Sequence, residues 1–136
     1  MNAAARSIGA AVWTAGALAV LAVLPSAQAA GDAAHGEQLY LSRCGACHSM
    51  DDNRAGPAHR GVFGRKAGSL DDFRYSPAMK RSGLTWSPQT LDAYVADPQT
   101  AVPQNRMPYA GMPEARDRAD LIAYLKKASG SRPSTR

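Results

Sequence analysis

Cys44 and Cys47 are the chain's only cysteines, and His48 follows them directly in Arg43-Cys44-Gly45-Ala46-Cys47-His48. Two residues between the thiols place both sulfurs on one side of a turn, where they can add to the two vinyl groups of a haem and so form haem c. The imidazole that follows then lies beneath the iron and supplies its proximal ligand. Other chemistries also use close cysteines. A thioredoxin-like dithiol needs a surrounding βαβ pattern, and no alternation of strand and helix is legible here. A zinc site needs two further ligands at finger-like spacing, with only His35 and His59 left to offer nitrogen. A disulfide between such near neighbours closes a very small loop and constrains little of the unfolded chain.

An iron held by His48 has a second axial face. If a side chain closes it, the group exchanges electrons; if it is open, peroxide or a diatomic gas can bind, as in a haem enzyme or gas sensor. Thioether sulfur suits the iron and raises its potential. Met50 stands too close to His48 to reach the other face. Met79 falls in a predicted helix with charged neighbours, where packing is the ordinary role. Met107 and Met112 lie in a Pro-rich loop able to fold over a ring. Met107 is preferred because Met112 leads directly into a helix, but spacing alone leaves both open. His35 and His59 read as solvent-exposed helix and loop residues.

The elements that must position these residues are short. Asp32 to Arg43 reads as a helix capped by Asp32, with Ala33, Gly36 and Tyr40 along one face, and it delivers the chain to Cys44. Ala55 to Gly68 is a Gly- and Arg-rich loop. Ser76-Pro77 opens a helix through Arg81 with Gly83 as its stop, and Ser87-Pro88 repeats the device for a helix that Asp97-Pro98 ends. Thr100 to Met112 reads as loop. Pro113 to Ser129 is the longest helix, with Glu114 in its first turn, Lys126 and Lys127 in its last, and a stripe of Leu121, Tyr124, Leu125 and Ala128. The fold class is therefore all-α. Loops this long around so few helices need a buried object to wrap, and one haem supplies it.

The composition changes near position 30 of the 136 residues. Met1 to Ala30 hold one charge, Arg6, then an apolar stretch from Ile8 to Leu24 and the small-x-small pattern Ala27-Gln28-Ala29 followed by Ala30. That layout predicts a secretory signal over 1–30, with a single domain over 31–136; an uncleaved membrane anchor is the competing reading. The net charge of +5 falls by one if Arg6 is removed. Lys and Arg never run beyond two and are interleaved with acids, which does not identify a nucleic-acid binder and suits an acidic protein partner better.

The same residues resemble the class I cytochromes c, notably bacterial periplasmic relatives of mitochondrial cytochrome c, over nearly all of the chain after position 30. Gly31 to Cys44 is similar to that family's N-terminal helix and Leu121 to Lys127 to its C-terminal helix. The resemblance implies that the two cross, with Gly36 and Tyr40 against Leu121 and Tyr124. It implies that the Pro57 carbonyl accepts the free ring N–H of His48, that Arg65, Tyr75 and Trp86 hold a haem propionate, and that Tyr94 lies beside the methionine sulfur. Arg106 to Gly111 resembles the family's methionine loop, which selects Met107 over Met112. It departs from mitochondrial members at Met79, at Pro108 and in the few lysines around the haem edge.

The implied protein is a monomeric, non-enzymatic electron carrier of the periplasm. Arg43 and Arg106 are expected to steer it to acidic surfaces: a quinol-oxidising cytochrome bc complex as donor, and an oxidase, reaction centre or reductase as acceptor.

Overall fold

The computed structural model describes residues 31–130, so the signal assigned to 1–30 lies outside the described residues. These form α1 (Ala33–Leu39), a π-helical turn (Tyr40–Cys44), α2 (Pro77–Arg81), α3 (Pro88–Ala96), α4 (Pro98–Ala101) and α5 (Ala115–Gly130). The extended pairing among the described residues is an isolated antiparallel bridge between Lys66 and Thr85, which agrees with the all-α expectation.

Local chemistry sets most of the boundaries. The Asp32 carboxylate accepts the backbone N–H groups of Ala34 and His35. Ser76 caps α2 through the N–H of Met79, and Ser87 with Thr90 forms a reciprocal capping box on α3. Gly83 follows α2 at φ +71°, in the left-handed region where glycine is at no disadvantage.

Three boundaries differ from the expectation. The first helix does not stay α through Arg43 but widens into the π turn, whose last residue is Cys44. Asp97-Pro98 ends α3 and also starts α4, because the Asp97 carboxylate accepts the N–H groups of Gln99 and Thr100 while Pro98 takes the first helical position. The last helix begins at Ala115, two residues later than expected, and includes Gly130.

The crossing of α1 and α5 is the most extensive helix contact of the fold. Gly36 lies so close to the Asp120 carbonyl and the Tyr124 Cβ that a side chain has no room there. Tyr40 and Tyr124 pack with ring centroids 5.3 Å apart. Beside them Leu39, Met112, Leu121 and Leu125 form one buried cluster, and Leu121 is 1% exposed. Burial of such a leucine contributes about 2 kcal/mol. Met112 is thus a core residue.

At the edge of this crossing, buried Asp120 accepts the Asp32 N–H at 2.6 Å and pairs with His35 Nδ1 at 2.9 Å. His35 is accordingly half-exposed and partnered, not a bare surface residue. A second cluster of Ala67, Met79, Tyr94 and Val102 receives Trp86, Tyr75 and Met107 against it. No helix of the described residues is long and apolar enough to cross a membrane.

Candidate functional site

Between the two clusters lies a cavity of about 540 Å³, and all nine site residues singled out from the sequence line it. Its floor is apolar, with Val62, Leu91, Leu121 and Leu125 contributing. The π turn delivers Cys44, and the bonds from the N–H groups of Cys47 and His48 to the Cys44 carbonyl, at 3.0 and 2.9 Å, wind the following residues into a tight turn. Both thiols are free.

Burial pushes the Cys44 thiol up to about 11, with Cys47 beside it adding to the rise. A redox dithiol or a metal thiolate needs the opposite shift, because the ionised sulfur is the reactive form. A thioether carries no charge, so the same apolar surroundings suit a sulfur bonded to a haem vinyl group.

His48 is prepared as a neutral ligand. Burial lowers its pKa, and the Pro57 carbonyl opposes that only in part. The Pro57 oxygen lies 2.9 Å from Nδ1 and can only accept, so Nδ1 carries the proton and Nε2 keeps its lone pair for a metal. Gly56 lies flat on the ring, where an added Cβ would meet Cε1, Nε2 and Nδ1.

His59 departs from expectation. It was expected as an exposed loop residue; instead it lines the cavity, stacks on His48 at 4.3 Å between centroids with planes 18° apart, and bonds the Tyr40 hydroxyl at 3.2 Å. Burial, with His48 and Arg65 beside it, pushes its pKa down to about 3, so it is neutral. The signal was its place two residues after Pro57, on a loop that must return to His48.

Arg65 spans the far side of this loop. Its guanidinium donates to the carbonyls of Arg60 and Ala58 at 2.9 and 2.8 Å, leaving other N–H groups of its fork for the cavity. Burial lowers its pKa, with Tyr75 and Asp72 pulling the other way. Trp86 lies beside it through backbone bonds, its N–H donating to the Arg65 carbonyl and its carbonyl accepting from Gly64. Trp86 also packs on Tyr94 at 5.2 Å, and burial pushes the Tyr94 hydroxyl up to about 12. Met107 packs against the same cluster as Tyr94 and lines the cavity; Met79 does so too, while Met50 does not reach it.

At the cavity mouth Arg43 and Arg106 are exposed, as expected, and a third exposed arginine, Arg74, joins them. A slot with two free thiols, a neutral imidazole with an unused lone pair, a thioether and the half-buried guanidinium of Arg65 fits a covalent haem.

Comparison with known proteins agrees. The family model described as Cytochrome c matches residues 33–129. Cytochrome c of Tetrahymena pyriformis is 47% identical over 97 residues, covering 71% of this chain and 88% of the relative. Cytochrome c2 of Blastochloris viridis is 41% identical over 120 residues, covering 85% and 94%. The solved structure of cytochrome cH from Methylobacterium extorquens superposes with a TM-score of 0.69 at 43% identity, over 71% of this chain and 99% of that one. A cavity built around Cys44-Gly-Ala-Cys47-His48 and a match over nearly every described residue lead to one conclusion: the chain belongs to the cytochrome c family of electron carriers, with haem c attached through Cys44 and Cys47.

Proposed function

We propose that the protein is a periplasmic one-electron shuttle without catalysis of its own, in which His48 and Met107 would hold the iron of the haem. The observation that carries this reading is that both line the same cavity as Cys44 and Cys47. A bound haem supplies the one-electron couple of its iron. His48 offers Nε2 and is held in its tautomer by Pro57; Met107 offers its sulfur from the wall that Tyr94 packs. With both positions filled by side chains, no site is left for a substrate. Arg65, Tyr75 and Trp86 supply the cation and donors that a buried propionate requires. The composition of residues 1–30 supports export.

Docking falls to Arg43, Arg74 and Arg106, with exposed Leu41 near Arg43 adding apolar contact. These charges favour an acidic partner surface: a quinol-oxidising cytochrome bc complex on the donor side, and an oxidase, reaction centre or reductase on the acceptor side. Steering by exposed charge weakens as salt rises.

The intact mass of the exported protein tests the assembly. The expected mass is that of a chain beginning near Gly31 plus one haem; a bare polypeptide mass would contradict it. Reduction by membranes rich in the bc complex should slow as ionic strength rises, and a flat dependence would remove the steering claim.

A further inference from the structure

The residue that holds the methionine loop in place is two positions before Met107. Asn105 is buried, 8% exposed, and both ends of its amide are committed. Its Nδ2 donates to the carbonyls of Pro98 and Val102, at 2.8 and 2.9 Å, and its Oδ1 accepts the Met107 N–H at 2.8 Å. The amide orientation is unambiguous, because turning it over would set oxygen against two carbonyls and NH₂ against an N–H.

The other ends of these bonds are firm. Pro98 and Val102 belong to α4 and its C-cap, both are buried, and Val102 sits in the Tyr94 cluster. Asp97 fixes the start of α4 through two backbone bonds and the Thr100 hydroxyl. Before Asn105 the chain turns through Gln104 at φ +66°, a conformation a non-glycine residue keeps only when its surroundings hold it.

We propose that Asn105 is the positioning residue for Met107: it ties the methionine backbone to α4 and so sets how rarely the sulfur leaves the iron. This rests on the reading of Met107 as the axial ligand. Asparagine alone among the short side chains offers two donors and an acceptor from one planar group. Alanine leaves the Met107 N–H without its acceptor and takes the side-chain donor from the carbonyls of Pro98 and Val102, which keep only the backbone N–H groups of Val102 and Asn105. Aspartate keeps the acceptor for Met107 but turns an oxygen toward the carbonyls of Pro98 and Val102.

The test uses haem-loaded wild type, Asn105→Ala and Asn105→Asp, with loading checked by mass. Two readouts are taken: the weak long-wavelength band that methionine sulfur gives ferric haem, and the limiting rate at which imidazole enters the ferric protein. Each buried hydrogen bond is worth about fivefold in such an opening equilibrium, so Asn105→Ala should bind imidazole at least about tenfold faster than wild type, with a weakened band. Asn105→Asp should be faster still. Wild-type rates and an unchanged band in both variants would overturn the proposal. A wild type that lacks the band would contradict the ligand assignment itself, and the proposal with it. If neither variant retains haem, hydrogen exchange at the wild-type Met107 amide decides: protection is expected, and exchange as fast as at exposed loop amides would refute the bond.

Discussion

Around His48 the chain is tied down by backbone and side-chain bonds together, whereas around Met107 side chains supply most of the bonds. The N–H of Gly56 donates to Cys47, that of His59 to Ser49 and that of Arg60 to Met50, at 2.8, 3.0 and 2.7 Å, and the Gly61 N–H reaches Ser129 in α5. Arg60 also pairs with Asp51 and donates to the Ala128 carbonyl. Gly56 leaves no gap over the imidazole.

On the other side, Asn105 makes three side-chain bonds. Arg118 closes the loop's far end, donating to Asp92 in α3 and to the carbonyls of Met112 and Pro113. His48, directly after the two cysteines, is placed by close packing. Met107, on a distant loop, is placed by bonds that can open one at a time, so the Met107 wall is where opening should start.

The largest effect is expected from breaking the tight wall. Gly56→Val pushes a side chain into the His48 ring, and the cost of such overpacking is about 3 kcal/mol. Haem-loaded yield and the guanidinium midpoint, followed at the Soret band, should both fall; an unchanged midpoint would mean the ring has room to move.

A smaller loss is expected from the looser wall. Arg118→Met keeps the side chain's length but removes its bonds to Asp92, Met112 and Pro113, at about 2 kcal/mol. The long-wavelength band should fade at lower denaturant than the helical circular dichroism, separating loop opening from unfolding. Coincident transitions would argue that the two walls open together.

The smallest effect lies away from both walls, at the pair joining α1 to α5. The hydrogen bond to Asp120 raises the His35 pKa above 6.5, with Asp117 and Asp32 adding, and His35 in turn holds Asp120 below 3.8. The histidine contribution is therefore complete below 6.5 and is lost as pH rises through the raised value. The aspartate contribution is present above 3.8 and is lost as pH falls through the lowered one. The stability difference between wild type and His35→Asn should be greatest between 3.8 and 6.5 and shrink on either side, with the long-wavelength band unaffected. A difference independent of pH would assign His35 a packing role only.

Much of this architecture was legible because it is written in local chemistry. Asp32, Ser76-Pro77 and Ser87-Pro88 are caps whose bonds span three residues, and Cys44-Cys47-His48 is a site within five. Arg65, Tyr75, Trp86 and Met107 were singled out through family resemblance, not spacing, and all of them reach the cavity. What escaped depends on tertiary contacts. Helix α4 was hidden because Asp97-Pro98 reads as a stop, although it is the same cap-and-proline device that starts α2 and α3. The π turn has no local signature. His59 is buried only because its loop folds back over His48, and Asn105 lay just outside the segment similar to the family's methionine loop.

The central claim is that a thioether from the side-chain-bonded wall completes the grip begun by His48. The ferric absorption spectrum of wild type and Met107→Ala, both carrying covalent haem, tests it most directly. The long-wavelength sulfur band should be present in wild type and absent in the variant. Its persistence in Met107→Ala, or its absence from wild type, would contradict the account.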